Sequence, residues 1–164
     1  MSHSDAAYAT RGMDRDESFI RMALDEALVA LEHGDVPIGA VLVRGEEVIA
    51  RGHNTRELVG DATAHAEMHA LRLAADRMGN WRLTGCELFV TVEPCPMCAG
   101  ALVAHRIDRL VFGAWNPRAG AAGSLYNIPE DPRLTHHVEV RRGVLADDCA
   151  RPLGDLFEAL RSDV

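Results

Sequence analysis

Leu88-Phe-Val-Thr-Val92-Glu-Pro94-Cys95-Pro-Met-Cys98 reads as a strand that runs directly into the start of a helix. Five apolar or β-branched residues in a row, with no charge among them, suit a strand covered on both faces. The two prolines end it, and the helix that follows spans Met97 to His105. Upstream, a helix runs from Ala64 to Met78, and Gly79, Asn80 and Gly85 punctuate the connection. Further upstream, Ile38–Val43 and Val48–Gly52 form a hairpin that turns at Arg44-Gly45-Glu46. Residues 53–63 between hairpin and helix are polar and read as a loop. Before the hairpin, Phe19, Ala23, Ala27 and Ala30 recur at helical spacing, with Ile20, Leu24 and Leu31 beside them, so Asp16–Glu32 is a helix that stops at Gly34. Downstream come a strand at Arg109–Gly113, a glycine-rich loop at Ala119–Ser124, a short strand at Val138–Val140 and an amphipathic helix at Asp147–Arg161. A helix, a hairpin, and then helices alternating with strands specify a three-layer α/β/α domain on a five-stranded mixed sheet.

The chain has 164 residues, 48% of them apolar and 26% charged, the balance of one globular domain. Residues 16–164 are expected to form that domain, with residues 1–15 as a flexible polar tail. That tail lacks the apolar core of a signal peptide, and nothing downstream approaches the length of a membrane span, so the chain reads as cytoplasmic. The net charge of -8 argues against a non-specific nucleic-acid binder but leaves room for a local basic face. All 17 basic residues are arginine, and Arg118, Arg133, Arg141, Arg142, Arg151 and Arg161 fall in the last third, with Arg106 and Arg109 flanking the fourth strand. They are the candidates for phosphate contacts.

Two short motifs carry chemistry: Thr63-Ala-His65-Ala-Glu67 at one helix start, and Glu93-Pro94-Cys95-Pro-Met-Cys98 at another. Each alone is weak. Together, Cys95 and Cys98 can turn both sulfurs to one point, where the exposed N–H groups of a helix start favour thiolate, the form that binds zinc. His65 supplies a third ligand. Three protein ligands leave the fourth tetrahedral position open, as a catalytic zinc requires, and zinc lowers the pKa of a bound water to about 7. Glu67, two residues past His65, is placed to move protons rather than to ligate. The alternative is a closed structural site, with Cys86, Cys149, His53 or His69 as fourth ligand. His69, four residues from His65, is the best of these, but such a site leaves Glu67 without a role.

His-Ala-Glu followed by Pro-Cys-x-x-Cys resembles the signature of the cytidine-deaminase-like zinc deaminases. The resemblance runs through Val36–Val41, His53-Asn54, Ala62–Glu67, Glu93–Ala101, Val111–Ala114 and Gly120–Leu125, all in the family's order. Within the family the chain is most similar to the bacterial tRNA adenosine deaminases. That resemblance implies hydrolytic conversion of adenosine to inosine in a tRNA anticodon stem-loop, one zinc per subunit, and a homodimer. It implies that His65, Cys95 and Cys98 hold the zinc and that Glu67 shuttles protons. Asn54, Ile38 and Ala66 would contact the base, and Asn116 and Ser124 would belong to the loop that grips the nucleotides. The chain departs from the family at Asn116 and Asn127, where aspartate is usual, at Arg118 for lysine, and at Thr135 for asparagine. An amide at 116 can donate as well as accept, which predicts weaker discrimination of RNA from DNA. A guanine, cytosine or nucleoside deaminase using the same zinc site is the alternative enzyme, and a zinc-stabilised binding module without catalysis is the non-enzymatic one.

Overall fold

A computed structural model describes residues 14–164. Residues 1–13, most of the expected tail, lie outside the described residues; Asp14 and Arg15 belong to the folded domain. Asp14 caps helix α1 (Arg15–Leu31) by accepting from the Asp16 N–H at 3.1 Å, and Arg15 reaches Glu46 and Glu87, each at 2.7 Å. Then follow β1 (Gly39–Arg44), β2 (Glu47–His53), α2 (Arg56–Val59), α3 (Ala66–Met78), β3 (Cys86–Val92), α4 (Pro96–Ala104), β4 (Arg109–Ala114), β5 (Glu139–Arg141) and α5 (Ala146–Ser162). The expected elements are all present, with ends shifted by a residue or two. The correction is α2, a single turn inside the polar segment expected to be loop. Buried Asp35 caps that turn, its carboxylate accepting from Glu57 N–H at 2.8 Å and Leu58 N–H at 3.2 Å. No local apolar period announces a turn held by a residue from outside it.

The sheet order is β2-β1-β3-β4-β5, with β1 antiparallel to both neighbours and β3, β4 and β5 parallel. Alternation along the strands separates two cores. Ala40, Leu42, Leu88, Val90, Leu110 and Phe112 point to one face and pack on Ala66, Ala70, Leu71, Ala74 and Leu102 of α3 and α4. Val41, Val43, Phe89 and Val111 point to the other, against Phe19, Ile20 and Ala23 of α1 and Cys149 of α5. This is the expected three-layer α/β/α arrangement.

Two features of this frame place the site. β3 and β4 end side by side at the same edge, Val92 opposite Ala114, so the segments leaving them emerge together. Gly52 in β2 lies so close to the start of α3 that a Cβ would fall on the Ala66 carbonyl oxygen. A side chain there would push α3 and its first turn off the sheet. Asp16, buried at the start of α1, takes Arg109 of β4 at 2.7 and 2.9 Å and Arg141 of β5 at 2.6 Å. Burial raises the Asp16 carboxyl's pKa, but the two guanidinium groups outweigh it and hold the acid below its ordinary value. No helix among the described residues is long and apolar enough to cross a membrane.

Candidate active site

The two motifs meet. His65 is the N-cap of α3, and Cys95 is the N-cap of α4, with Pro96 in the first helical position, where a missing N–H costs nothing. His65 Nδ1 lies 3.6 Å from Cys95 Sγ and 3.4 Å from Cys98 Sγ. These ligand atoms all fall within 4.8 Å of one another, and among the described residues they form the one such group able to hold a metal ion. One imidazole nitrogen and two sulfurs on facing helix starts suit zinc.

The cysteines behave as a proton-sharing pair. A hydrogen bond from the Cys98 thiol, helped by His65 and opposed by partial burial, pulls Cys95 down to about 4. Cys98 moves the other way because its proton serves Cys95, and burial and the Glu67 carboxylate add to the shift. The hydrogen bond to Cys95 likewise raises His65.

Glu67 is buried in the first turn of α3, and the Cys98 thiol donates to its Oε2 at 3.5 Å. Burial pushes the Glu67 carboxyl above the ordinary carboxylate range. Asn54 is buried beside it. Its Oδ1 accepts from the Ala66 N–H at 3.0 Å, and its own N–H donates to the Ile38 carbonyl at 3.2 Å. Ile38, Asn54 and Ala66 are thus linked by hydrogen bonds, and Glu67 follows Ala66 in the chain.

The rival fourth ligands go elsewhere. His69 Nε2 pairs with Thr55 Oγ1 at 2.7 Å, His53 Nδ1 with Glu26 at 3.0 Å, and the Cys86 thiol faces Met78 Sδ at 3.8 Å. Cys149 is buried against Gly113, on the opposite face of the sheet from α3 and α4.

The segment after β4 is organised by a residue that sequence reasoning gave no role. Glu93 is buried, and its carboxylate accepts from Asn116 N–H at 2.9 Å, Ala122 N–H at 3.3 Å, Ser124 N–H at 2.8 Å and Ser124 Oγ at 2.5 Å. The signal was an acid at the end of a buried strand, directly before Pro-Cys. Ser124, expected to touch substrate, spends its hydroxyl proton on Glu93. Asn116 uses its Oδ1 to hold a turn, accepting from Ala119 N–H at 3.2 Å. Most of the arginines expected to meet phosphate are committed within the chain. Arg141 pairs with Asp14 and Asp16, Arg142 with Glu130, Arg133 with Asp131, Arg151 with Asp148, and Arg109 with Asp16 and Glu139. Arg106 donates to the Val103 carbonyl.

Comparisons agree with the geometry. Residues 13–114 match the cytidine and deoxycytidylate deaminase zinc-binding region. The tRNA-specific adenosine deaminase of Bacillus subtilis is 48% identical over 149 residues, 91% of this chain and 92% of that protein. A structure from studies of A-to-I editing by tRNA:A34 deaminases at the wobble position superposes with a TM-score of 0.79 at 43% identity, over 82% of this chain and 98% of that one. A guanine deaminase from Nitrosomonas europaea has the same fold, with a TM-score of 0.77 at 21% identity over 95% of this chain and 93% of that one. The chain belongs to the cytidine and deoxycytidylate deaminase zinc-binding family, within which proteins named tRNA-specific adenosine deaminase match it along most of their length.

Proposed function

We propose that this chain is a zinc-dependent hydrolytic deaminase that converts adenosine to inosine at the wobble position of a tRNA anticodon, working as a cytoplasmic homodimer. The observation that carries the chemistry is the joint placement of His65, Cys95 and Cys98 around one point, with the buried Glu67 carboxylate against Cys98. The choice of tRNA rests on the near-full-length likeness to proteins of that name.

His65, Cys95 and Cys98 would hold the zinc, which would supply a water of lowered pKa. The protein's own groups do the rest. Asn54, Ile38 and Ala66 hold the purine against the wall of α3. Glu67 takes a proton from the attacking water and delivers it to the ring nitrogen next to the amino-bearing carbon. It then takes the second water proton to the amino group, and the C–N bond breaks. One water is consumed, one ammonia leaves, and the ring keeps a carbonyl. Burial of Glu67 shields those protons from bulk solvent. The 116–124 loop, bonded to Glu93 and Pro94 just before Cys95, takes the nucleotides beside the target, with Asn116 among its contacts.

The test is purified protein with an anticodon stem-loop, read for inosine, alongside free guanine, cytosine and adenosine read for ammonia. Inosine in the stem-loop supports the reading. Ammonia from guanine or cytosine with an unchanged stem-loop overturns it in favour of a small-substrate deaminase. Folded, zinc-loaded protein inert on all of them would make it a binding module. The dimer rests on the family resemblance alone, and a monomer by light scattering at about micromolar concentration would remove it.

A further inference from the structure

We infer that Glu93 is a positioning residue that locks the 116–124 loop to the metal-binding corner, so that the two act as one rigid unit. The inference rests on the deaminase reading for the role of the loop, but not for the lock itself.

Glu93 is 2% exposed, and no cation faces it in any hydrogen bond or ion pair seen among the described residues. Its charge is met instead by four donors from one loop: the N–H groups of Asn116, Ala122 and Ser124 and the Ser124 hydroxyl. A buried carboxylate satisfied by several aligned N–H groups is a strong, geometrically demanding anchor. The backbone on either side joins in. Glu93 N–H donates to the Ala114 carbonyl and Ala121 N–H donates to the Pro94 carbonyl, both at 2.8 Å. Gly120 packs against the carboxylate so closely that a Cβ there would collide with it. The next residue but one after Glu93 is Cys95, a ligand of the corner. A displacement of the loop is therefore transmitted through two peptide units to the metal site, and the reverse.

Glu93→Gln tests this without changing shape. The amide keeps one accepting oxygen but turns an NH2 toward the Asn116 N–H, donor against donor, whereas the Ser124 hydroxyl can rotate to accept. Amide hydrogen exchange, which needs no activity, should quicken about tenfold or more at Asn116, Ala122 and Ser124. The first turn of α3 should keep its protection, and zinc should stay at one per chain. With the stem-loop, KM should rise about tenfold and kcat should fall less, because the loop binds flanking nucleotides rather than the reacting atoms. Ser124→Ala, which removes one bond at the rim, should shift both readouts in the same direction by a smaller amount. Combined with Glu93→Gln it should be clearly less than additive. Unchanged exchange in the loop overturns the lock, whether or not the protein deaminates RNA. Faster exchange with an unchanged KM overturns the loop's role in positioning substrate. If wild-type protein makes no inosine, the deaminase reading fails while the exchange result still decides the lock. If Glu93→Gln does not fold, Ser124→Ala alone carries the exchange and KM comparisons.

Discussion

The metal corner and the 115–127 loop join at Glu93-Pro94-Cys95, yet they are held in opposite ways. In the corner, side chains from positions 65, 95 and 98 meet one another directly, each aimed by the helix start it sits on. In the loop, backbone N–H groups and the Ser124 hydroxyl turn inward to one carboxylate while the largest side chains face out; Trp115, Leu125 and Tyr126 are 49%, 55% and 58% exposed. Residue identity is therefore fixed in the corner, and shape is fixed in the loop. Asn116 makes the point: Glu93 holds its backbone N–H, whatever its side chain. Departures from the family at Asn116 and Asn127 are compatible with an unchanged frame, and they alter the surface that the frame presents.

If that contrast is right, changes in the corner abolish chemistry and changes in the loop shade it. Cys95→Ala should have the largest effect, with loss of zinc, of turnover and of thermal stability together. A folded, fully zinc-loaded variant would break the contrast at its strongest point. Glu67→Ala should keep the metal and the fold but lower kcat by about 10⁴-fold or more, since one group serves two proton transfers. Near-normal turnover would remove Glu67 from the chemistry. Gly52→Ala should cost about 3 kcal/mol in denaturant unfolding, because the new methyl strikes the Ala66 carbonyl and must push α3 away. A loss well under 1 kcal/mol would mean that the corner tolerates displacement. The smallest effect belongs to Asn116→Asp. Either side-chain oxygen can still accept from Ala119 N–H, so stability should change by less than about 0.5 kcal/mol. The carboxylate accepts only, so the ratio of RNA to single-stranded DNA deamination should rise; an unchanged ratio leaves Asn116 as a turn residue and nothing more.

The same contrast explains what could be read from the sequence. The sheet and its covering helices were legible because apolar residues repeat with the period of each element, as at Leu88–Val92 and Phe19–Ala30. The corner was legible because its ligands lie in two short motifs whose spacing is fixed by helix geometry. The loop was not. Asn116 and Ser124 are expected from the resemblance to contact substrate, but their bonds to buried Glu93, 23 and 31 residues away, leave no trace in the sequence, because no local pattern records a donor's distant acceptor. α2 was missed for the same reason, its cap being Asp35, 22 residues from Glu57. The arginines are visible in the sequence, but the acids that pair with Arg109, Arg141 and Arg142 come from distant positions that no local pattern marks.

The latch between Asp16 and Arg141 spans 125 residues and so ties together parts of the chain made at very different times. During synthesis at about 5–20 residues per second, Asp16 emerges roughly 6–25 s before Arg141. Arg109, a second distant partner, comes 93 residues after it, so for most of that interval the only one of its guanidinium partners yet made is the adjacent Arg15, 3.6 Å away in the finished fold. Once Ala114 has been made, and until Glu139–Arg141 follow, the β4 edge has no β5 beside it and exposes unpaired N–H and C=O groups. The order of manufacture thus leaves the nascent domain open along one side until its final quarter is made. A translational pause between Ala114 and Arg141 would prolong that exposure.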